Sequence, residues 1–261
     1  MKKDSKKHSG TTRPALYFVF LIIFIIIVSA AFKTYDLFKK SKYDGDNRFT
    51  VAVISKKESN ILTVSPKDKT ISQITFKNVN DEKSLLENSV PLDGFVKTEI
   101  KSENPKDYFS KLFSAYRDVK TDLTIIDLFR LKMFASGVEN GNVKKEVIEG
   151  YSDKNFNSLT QTSFIDPKIA EEKVTIQITN ATPIGGLGAI LAKYLTNLGA
   201  NVVLVNSSQA DENNTKIYYK NESYTLEKIS KILKVDPTEK DVNSISDINI
   251  IIGSDREDLF E

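Results

Sequence analysis

Apolar residues are spread unevenly along the chain, and their spacing changes from one region to the next. From Pro14 to Phe32 the run PALYFVFLIIFIIIVSAAF carries no charged residue. As a helix it would rise roughly 29 Å, close to the hydrocarbon thickness of a bilayer. In lipid each backbone amide needs an internal partner, so a helix is the spanning form expected. Tyr17 falls near one end, at headgroup level. A buried core helix or a cleaved signal peptide would share this pattern, and Val28-Ser29-Ala30-Ala31 offers small residues for cleavage. The run is longer than a signal core of about 7–15 residues and leaves little polar sequence before Lys33, which favours an uncleaved anchor.

Beyond a charged stalk over 33–48, the period shortens. Strands are expected at Phe49–Ile54, Ile61–Ser65 and Thr70–Lys77, the last two joined by a turn at Pro66-Lys67-Asp68-Lys69. Alternation through Ile71, Ile74 and Phe76 is imperfect. A weaker strand is expected at Gly94–Ile100. Helical spacing follows in Phe109, Leu112, Phe113 and Tyr116, and again in Ile125, Leu128, Leu131 and Phe134. Thr124 and Asp127 stand in the capping-box pattern at the start of the second helix. A short strand near Lys144–Ile148 completes a first domain over 49–150, and the polar stretch 151–172 reads as a linker.

The last segment, 173–255, has the clearest pattern. A half-buried strand at Val174–Thr179 leads to a helix that stops at Gly199, a suitable C-cap. Strands follow at Asn201–Asn206 and Lys216–Tyr219, then a helix over Leu226–Val235 with Pro237 after it, then a strand at Ile248–Ile252. The order is strand-helix-strand-strand-helix-strand, and a short tail covers 256–261. The fold class expected is therefore α/β: a single N-terminal transmembrane helix followed by two small α/β domains. Residues 173–255 are expected to fold alone.

Charge and composition narrow the chemistry. The net charge is +2, with acids and bases interspersed, and no basic face or stripe suggests nucleic acid. The chain has no cysteine, which excludes disulfides and thiolate-bound metals, and its one histidine, His8, lies in the lysine-rich tail 1–13. No cofactor or metal is expected. The loop Asn180-Ala181-Thr182-Pro183-Ile184-Gly185-Gly186-Leu187-Gly188 leaves a strand and enters a helix, where backbone amides can hold an anion. It lacks the spacing of a dinucleotide loop and the Walker lysine. Asn180, Thr182, Gly185 and Gly186 are the candidate ligand-binding residues, against a plain tight turn. Asp247 and Asp255 suggest a carboxylate pair, although a turn acid is the simpler reading. Tyr218, Tyr219 and Tyr224 suggest either sugar stacking or ordinary strand packing.

Several pieces together resemble the carboxyl-terminal domain of the LytR–CpsA–Psr envelope proteins. They are the strand ending in Asn180, Thr182, Gly186-Leu187, the helix with Leu195 and Gly199, Thr215-Lys216-Ile217-Tyr218-Tyr219, the helix Leu226–Leu233 and Ile250-Ile251-Ile252-Gly253-Ser254-Asp255. Ala181 stands where the family usually has glycine. More faintly, 49–148 resembles a shortened relative of the family's catalytic domain. Ile61–Phe76 matches its opening and Val90–Val96 a later strand, but Lys77-Asn78-Val79 replaces the Pro-Arg-Asp motif. Asn80–Ser89 stands in place of a much longer insert bearing arginines and acids.

The resemblance implies enzymes that transfer undecaprenyl-phosphate-linked glycopolymers to peptidoglycan, holding pyrophosphate with arginines and a divalent metal with aspartates. Arg48, Arg117, Arg130 and Arg256 form no matching cluster by sequence. The expectation is a non-catalytic binding or scaffold module near the cell wall, with a diverged transferase or a membrane regulatory protein as alternatives. The expected partners are the lipid bilayer and a peptidoglycan or wall glycopolymer, with no nucleic acid. The amino terminus is expected in the cytoplasm and 33–261 outside, on the family's placement, since basic residues flank both ends of the span.

Overall fold

The computed structural model describes residues 12–149, 151, 156–240 and 245–259. Residues 1–11, and with them His8 and most of the lysine-rich tail, lie outside the described residues. Helix α1 (Thr12–Lys40) contains the whole uncharged run and continues through the first half of the expected stalk. Within Leu16–Lys40 an 18-residue window reaches a mean hydropathy of 2.6 and none of that window is buried, so the helix is long and apolar enough to cross a membrane.

Residues 42–261 form one compact unit. Its first sheet holds β1 (Phe49–Ile54), β2 (Glu58–Ser65), β3 (Thr70–Lys77), β4 (Gly94–Lys97), β5 (Lys120–Thr121) and β6 (Val143–Ile148), in the order β5-β4-β1-β2-β3-β6. Strands β1, β2 and β3 pair antiparallel, while β4 joins β1 and β6 joins β3 in parallel. Every residue of β1 is buried, because both faces of the sheet are covered. On one face Val51, Val53, Leu62 and Ile71 pack against α3 (Pro105–Ser114) and α4 (Ile125–Gly137). On the other, Ala52, Ile61, Ile74 and Phe76 pack against Leu85 of α2 (Glu82–Glu87), Phe156 of α5 (Phe156–Ser163) and Phe164. A sheet buried on both faces gives apolar runs in place of alternation, which accounts for the imperfect pattern read from the sequence.

The second sheet holds β7 (Thr175–Asn180), β8 (Asn201–Ser207), β9 (Lys216–Tyr219), β10 (Thr238–Glu239) and β11 (Ile248–Ile252), in the order β10-β9-β11-β7-β8. Ile176, Ile178, Ile248 and Ile250 pack against Leu191 and Leu195 of α7 (Leu187–Asn197) and Leu226 and Ile229 of α8 (Tyr224–Leu233). The expected strand and helix order is modified by the two-residue β10, which pairs with β9.

Three further expectations change. The stretch 151–172, read as a linker, contains α5 and α6 (Pro167–Glu172), and Ile169 of α6 enters the second core. The polar stretch Asn80–Ser89 contains α2, whose N-cap Asp81 accepts the Ser84 amide at 2.7 Å. Within the stalk, Tyr43 is 1% exposed and stacks near Phe49 at 5.1 Å, so the chain joins the folded body well before residue 49.

Candidate functional site

The loop after β7 is self-contained. The Asn180 side chain is buried; its amide donates to the Ile184 carbonyl at 2.8 Å, and its oxygen accepts the Thr182 amide at 3.2 Å and hydroxyl at 2.9 Å. The Thr182 hydroxyl in turn accepts the Ile184 amide at 3.2 Å. These groups hold the turn shape themselves. Gly186 is the N-cap of α7 at φ +93°, a conformation that side chains with a Cβ resist. Gly185 and Gly186 have open space where a side chain would lie. Asn180→Ala should therefore cost about 1–3 kcal/mol, because it takes the side-chain partners from the half-buried backbone of Thr182 and Ile184; thermal unfolding of 42–261 measures it.

The acids and tyrosines singled out from the sequence have local duties. Asp247 accepts both the amide and the hydroxyl of Thr175, at 2.9 and 2.6 Å. Asp255 does the same for Thr215, at 2.7 and 2.8 Å, so the two acids serve separate clamps. Glu172 of α6 repeats the device on Thr225 and also accepts the Tyr224 amide at 2.9 Å. Tyr219 donates to Glu222 at 2.8 Å and Tyr224 to Asp166 at 2.9 Å. Lys240 and Lys168 cover the rings of Tyr218 and Tyr224, at 5.0 and 4.2 Å.

A cleft that no sequence spacing indicated opens between the two sheets, with a volume of about 100 Å³. Leu92 and Asp93 line it, and the segment Ser89–Asp93 to which they belong is stitched to the second sheet's helices. The Tyr194 hydroxyl donates to the Leu92 carbonyl at 3.0 Å and accepts the Leu92 amide at 2.9 Å, and Asn197 donates to the Ser89 carbonyl at 2.7 Å. Lys228 of α8 pairs with Asp93 at 2.7 Å, the two side chains being only 10% and 9% exposed. The same ammonium donates to the Arg48 carbonyl at 3.2 Å. The expectation that 173–255 folds alone meets this interface, where Tyr194, Asn197 and Lys228 find partners in the first sheet's segments.

The rest of the cleft is lined by apolar Leu86, Phe95 and Ile232 and by charges that answer one another. Lys42 contacts Asp122, whose other oxygen accepts the Phe95 amide at 2.8 Å. Lys231 pairs with Glu227 at 2.6 Å. Glu82 lies 3.8 Å from Lys97, and its burial raises its carboxyl above the usual range. Of the arginines, Arg48 alone lines the cleft, and its guanidinium donates to the Ile165 carbonyl. Arg130 donates to the Tyr43 carbonyl, and Arg256 to the carbonyls of Leu233 and Lys234. Among the described residues no group of three or more His, Cys, Asp or Glu side chains is placed to hold a metal ion.

Comparison with known proteins bears mainly on the second sheet. No curated protein matches the chain in sequence. Two solved structures show a partial likeness. The Lin1025 protein of Listeria innocua is 12% identical, with 40% of this chain and 84% of that one covered at a TM-score of 0.29. Lmo1026 of Listeria monocytogenes, a transcriptional-factor candidate, is 13% identical, with 44% and 83% covered at a TM-score of 0.26. The LytR C-terminal family model, described as LytR cell envelope-related transcriptional attenuator, matches residues 173–255. That span takes in β7 to β11 with α7 and α8, and includes the Asn180 loop and the Lys228 side of the cleft. Residues 173–255 are therefore similar to the LytR C-terminal domain of that cell envelope-related family.

Proposed function

We propose that the protein is a single-pass envelope protein whose body, residues 42–261, stands outside the cytoplasmic membrane and acts as a non-catalytic binding or scaffold module near the wall. The observation that carries the non-catalytic part is the use of the arginines. Arg48, Arg130 and Arg256 each direct their guanidinium to main-chain carbonyls. A transferring phosphoryl group needs several cationic donors converging on one point. The cleft instead holds pairs, Lys228 with Asp93 and Lys42 with Asp122, whose charges neutralise each other. The first sheet is read as a scaffold related to the family's catalytic domain, with Lys77-Asn78-Val79 in place of its Pro-Arg-Asp motif.

Two measurements test this. Offered a lipid-pyrophosphate-linked glycan, a glycan acceptor and magnesium, the purified protein should give no transfer, while 42–261 should sediment with purified cell wall. Metal-dependent turnover would reinstate the diverged transferase, and failure to sediment would remove the wall as partner. For topology, a non-permeant protease should digest the body in intact cells stripped of wall. Full protection of the body would reverse the orientation.

A further inference from the structure

Helix α4 is apolar on two sides. Its inner side places Leu128, Leu131 and Ala135 in the core. Its outer side presents Ile125, Phe129 and Met133 at a spacing of four, and they are 36%, 49% and 56% exposed. Residues so spaced share one helix face. Phe113 of α3 extends the stripe, with its ring 5.8 Å from that of Phe129, and the Lys132 ammonium lies 4.9 Å from the Phe113 ring. The one acid on α4, Asp127, is fully buried, so the outer side of the helix carries no carboxylate of its own. Exposed apolar stripes bordered by cations call for an occupant.

The chain itself indicates which. The amides of Lys42 and Tyr43 both donate to Asp127 at 2.8 Å, so the first turn of α4 is tied to the chain two residues after α1 ends at Lys40. Between the uncharged run and Lys40 the helix rises only about 12 Å, which carries the chain just past a headgroup layer of roughly 5–8 Å on one side of the bilayer. The covalent chain therefore limits how far α4 can stand from the lipid headgroups. We infer that the outer stripe of α4, Ile125, Phe129 and Met133, inserts into the interface of the bilayer that α1 spans, with Lys132 at the level of anionic headgroups. The inference rests on the reading of α1 as a membrane anchor.

The sequence contains no tryptophan, so one introduced residue reports alone. The test reconstitutes the full chain carrying Phe129→Trp, Met133→Trp or, as a control, Val147→Trp in vesicles of phosphatidylcholine and phosphatidylglycerol. Val147 is 59% exposed on β6 and lies on a different element from the stripe. With lipids brominated at the shallow depth of about 5–10 Å that interfacial helices reach, tryptophan at 129 and 133 should lose roughly half its emission and shift to shorter wavelength. The control should emit as a residue in water, unquenched. Emission from 129 and 133 matching the control, in protein that floats with the vesicles, would overturn the inference and leave the anchor intact. A shift to shorter wavelength without quenching would mean that protein covers the stripe, and would also overturn it. A chain that does not float with the vesicles at all would overturn the anchor reading and the inference together.

Discussion

Asp127→Ala is expected to be among the most damaging single changes in the body, lowering its stability by about 3–5 kcal/mol. One carboxylate oxygen accepts the Thr124 amide at 2.7 Å and hydroxyl at 2.8 Å, which closes the capping box of α4. The other accepts the amides of Lys42 and Tyr43. Alanine opens the Asp127 half of the capping box and leaves the amides of Thr124, Lys42 and the buried Tyr43 without their acceptor. Asp127→Asn keeps one acceptor oxygen and should retain part of the stability. Urea unfolding of 42–261 decides, and a midpoint for Asp127→Ala close to that of the unchanged protein would mean that water replaces the carboxylate without cost.

The second large effect is at the ion pair between the two sheets. Asp93→Ala should cost about 3–5 kcal/mol, because removing one member of a buried pair leaves the other charge uncompensated. It also removes the acceptor for the Thr50 amide, which meets Asp93 at 2.8 Å. Lys228→Met alone should be costly for the first reason. The double change Asp93→Asn with Lys228→Met should recover much of the loss, since no buried charge remains and Asn still offers an oxygen to Thr50. Equal losses in the double variant and in Asp93→Ala would show that neither the uncompensated charge nor the Thr50 bond carries the effect.

What the sequence revealed follows from how local each determinant is. The capping box at Thr124 and Asp127 was legible because its partners stand three residues apart, and the structure closes both of its hydrogen bonds. Gly199 was legible as a helix stop and sits at φ +101°. The spacing of Ile125, Leu128, Leu131 and Phe134 predicts helix α4 and the helix forms, but Ile125 faces outward and joins Phe129 and Met133. A helix apolar on two sides satisfies more than one choice of face, so spacing could not separate them. Helix α2 was missed because six residues with Leu85 as the buried one give no periodicity to count. The cleft was illegible for another reason. Lys42, Glu82, Asp93, Asp122 and Lys228 come from remote parts of the chain and meet only through the pairing of β4 with β1 and the docking of α8. The candidate residues of the Asn180 loop were located as a turn by their neighbours, and their side chains turned out to serve that turn.

The threonine clamps give the second sheet a particular response to acid. Hydrogen bonds from Thr175 hold the Asp247 carboxyl below the usual carboxylate range. For Glu172 burial acts the other way, but the bonds from Thr225 and Tyr224 outweigh it and the net shift is also downward. A carboxyl depressed by folding adds stability that is complete above its unfolded value of about 4 and is lost as pH falls through the folded one. Both clamps should therefore hold through mildly acid conditions and open only at lower pH, releasing β7 from the turn before β11 and α6 from the start of α8. The second sheet should keep its shape over that range, and Thr175→Val or Thr225→Val should move the acid edge of unfolding upward.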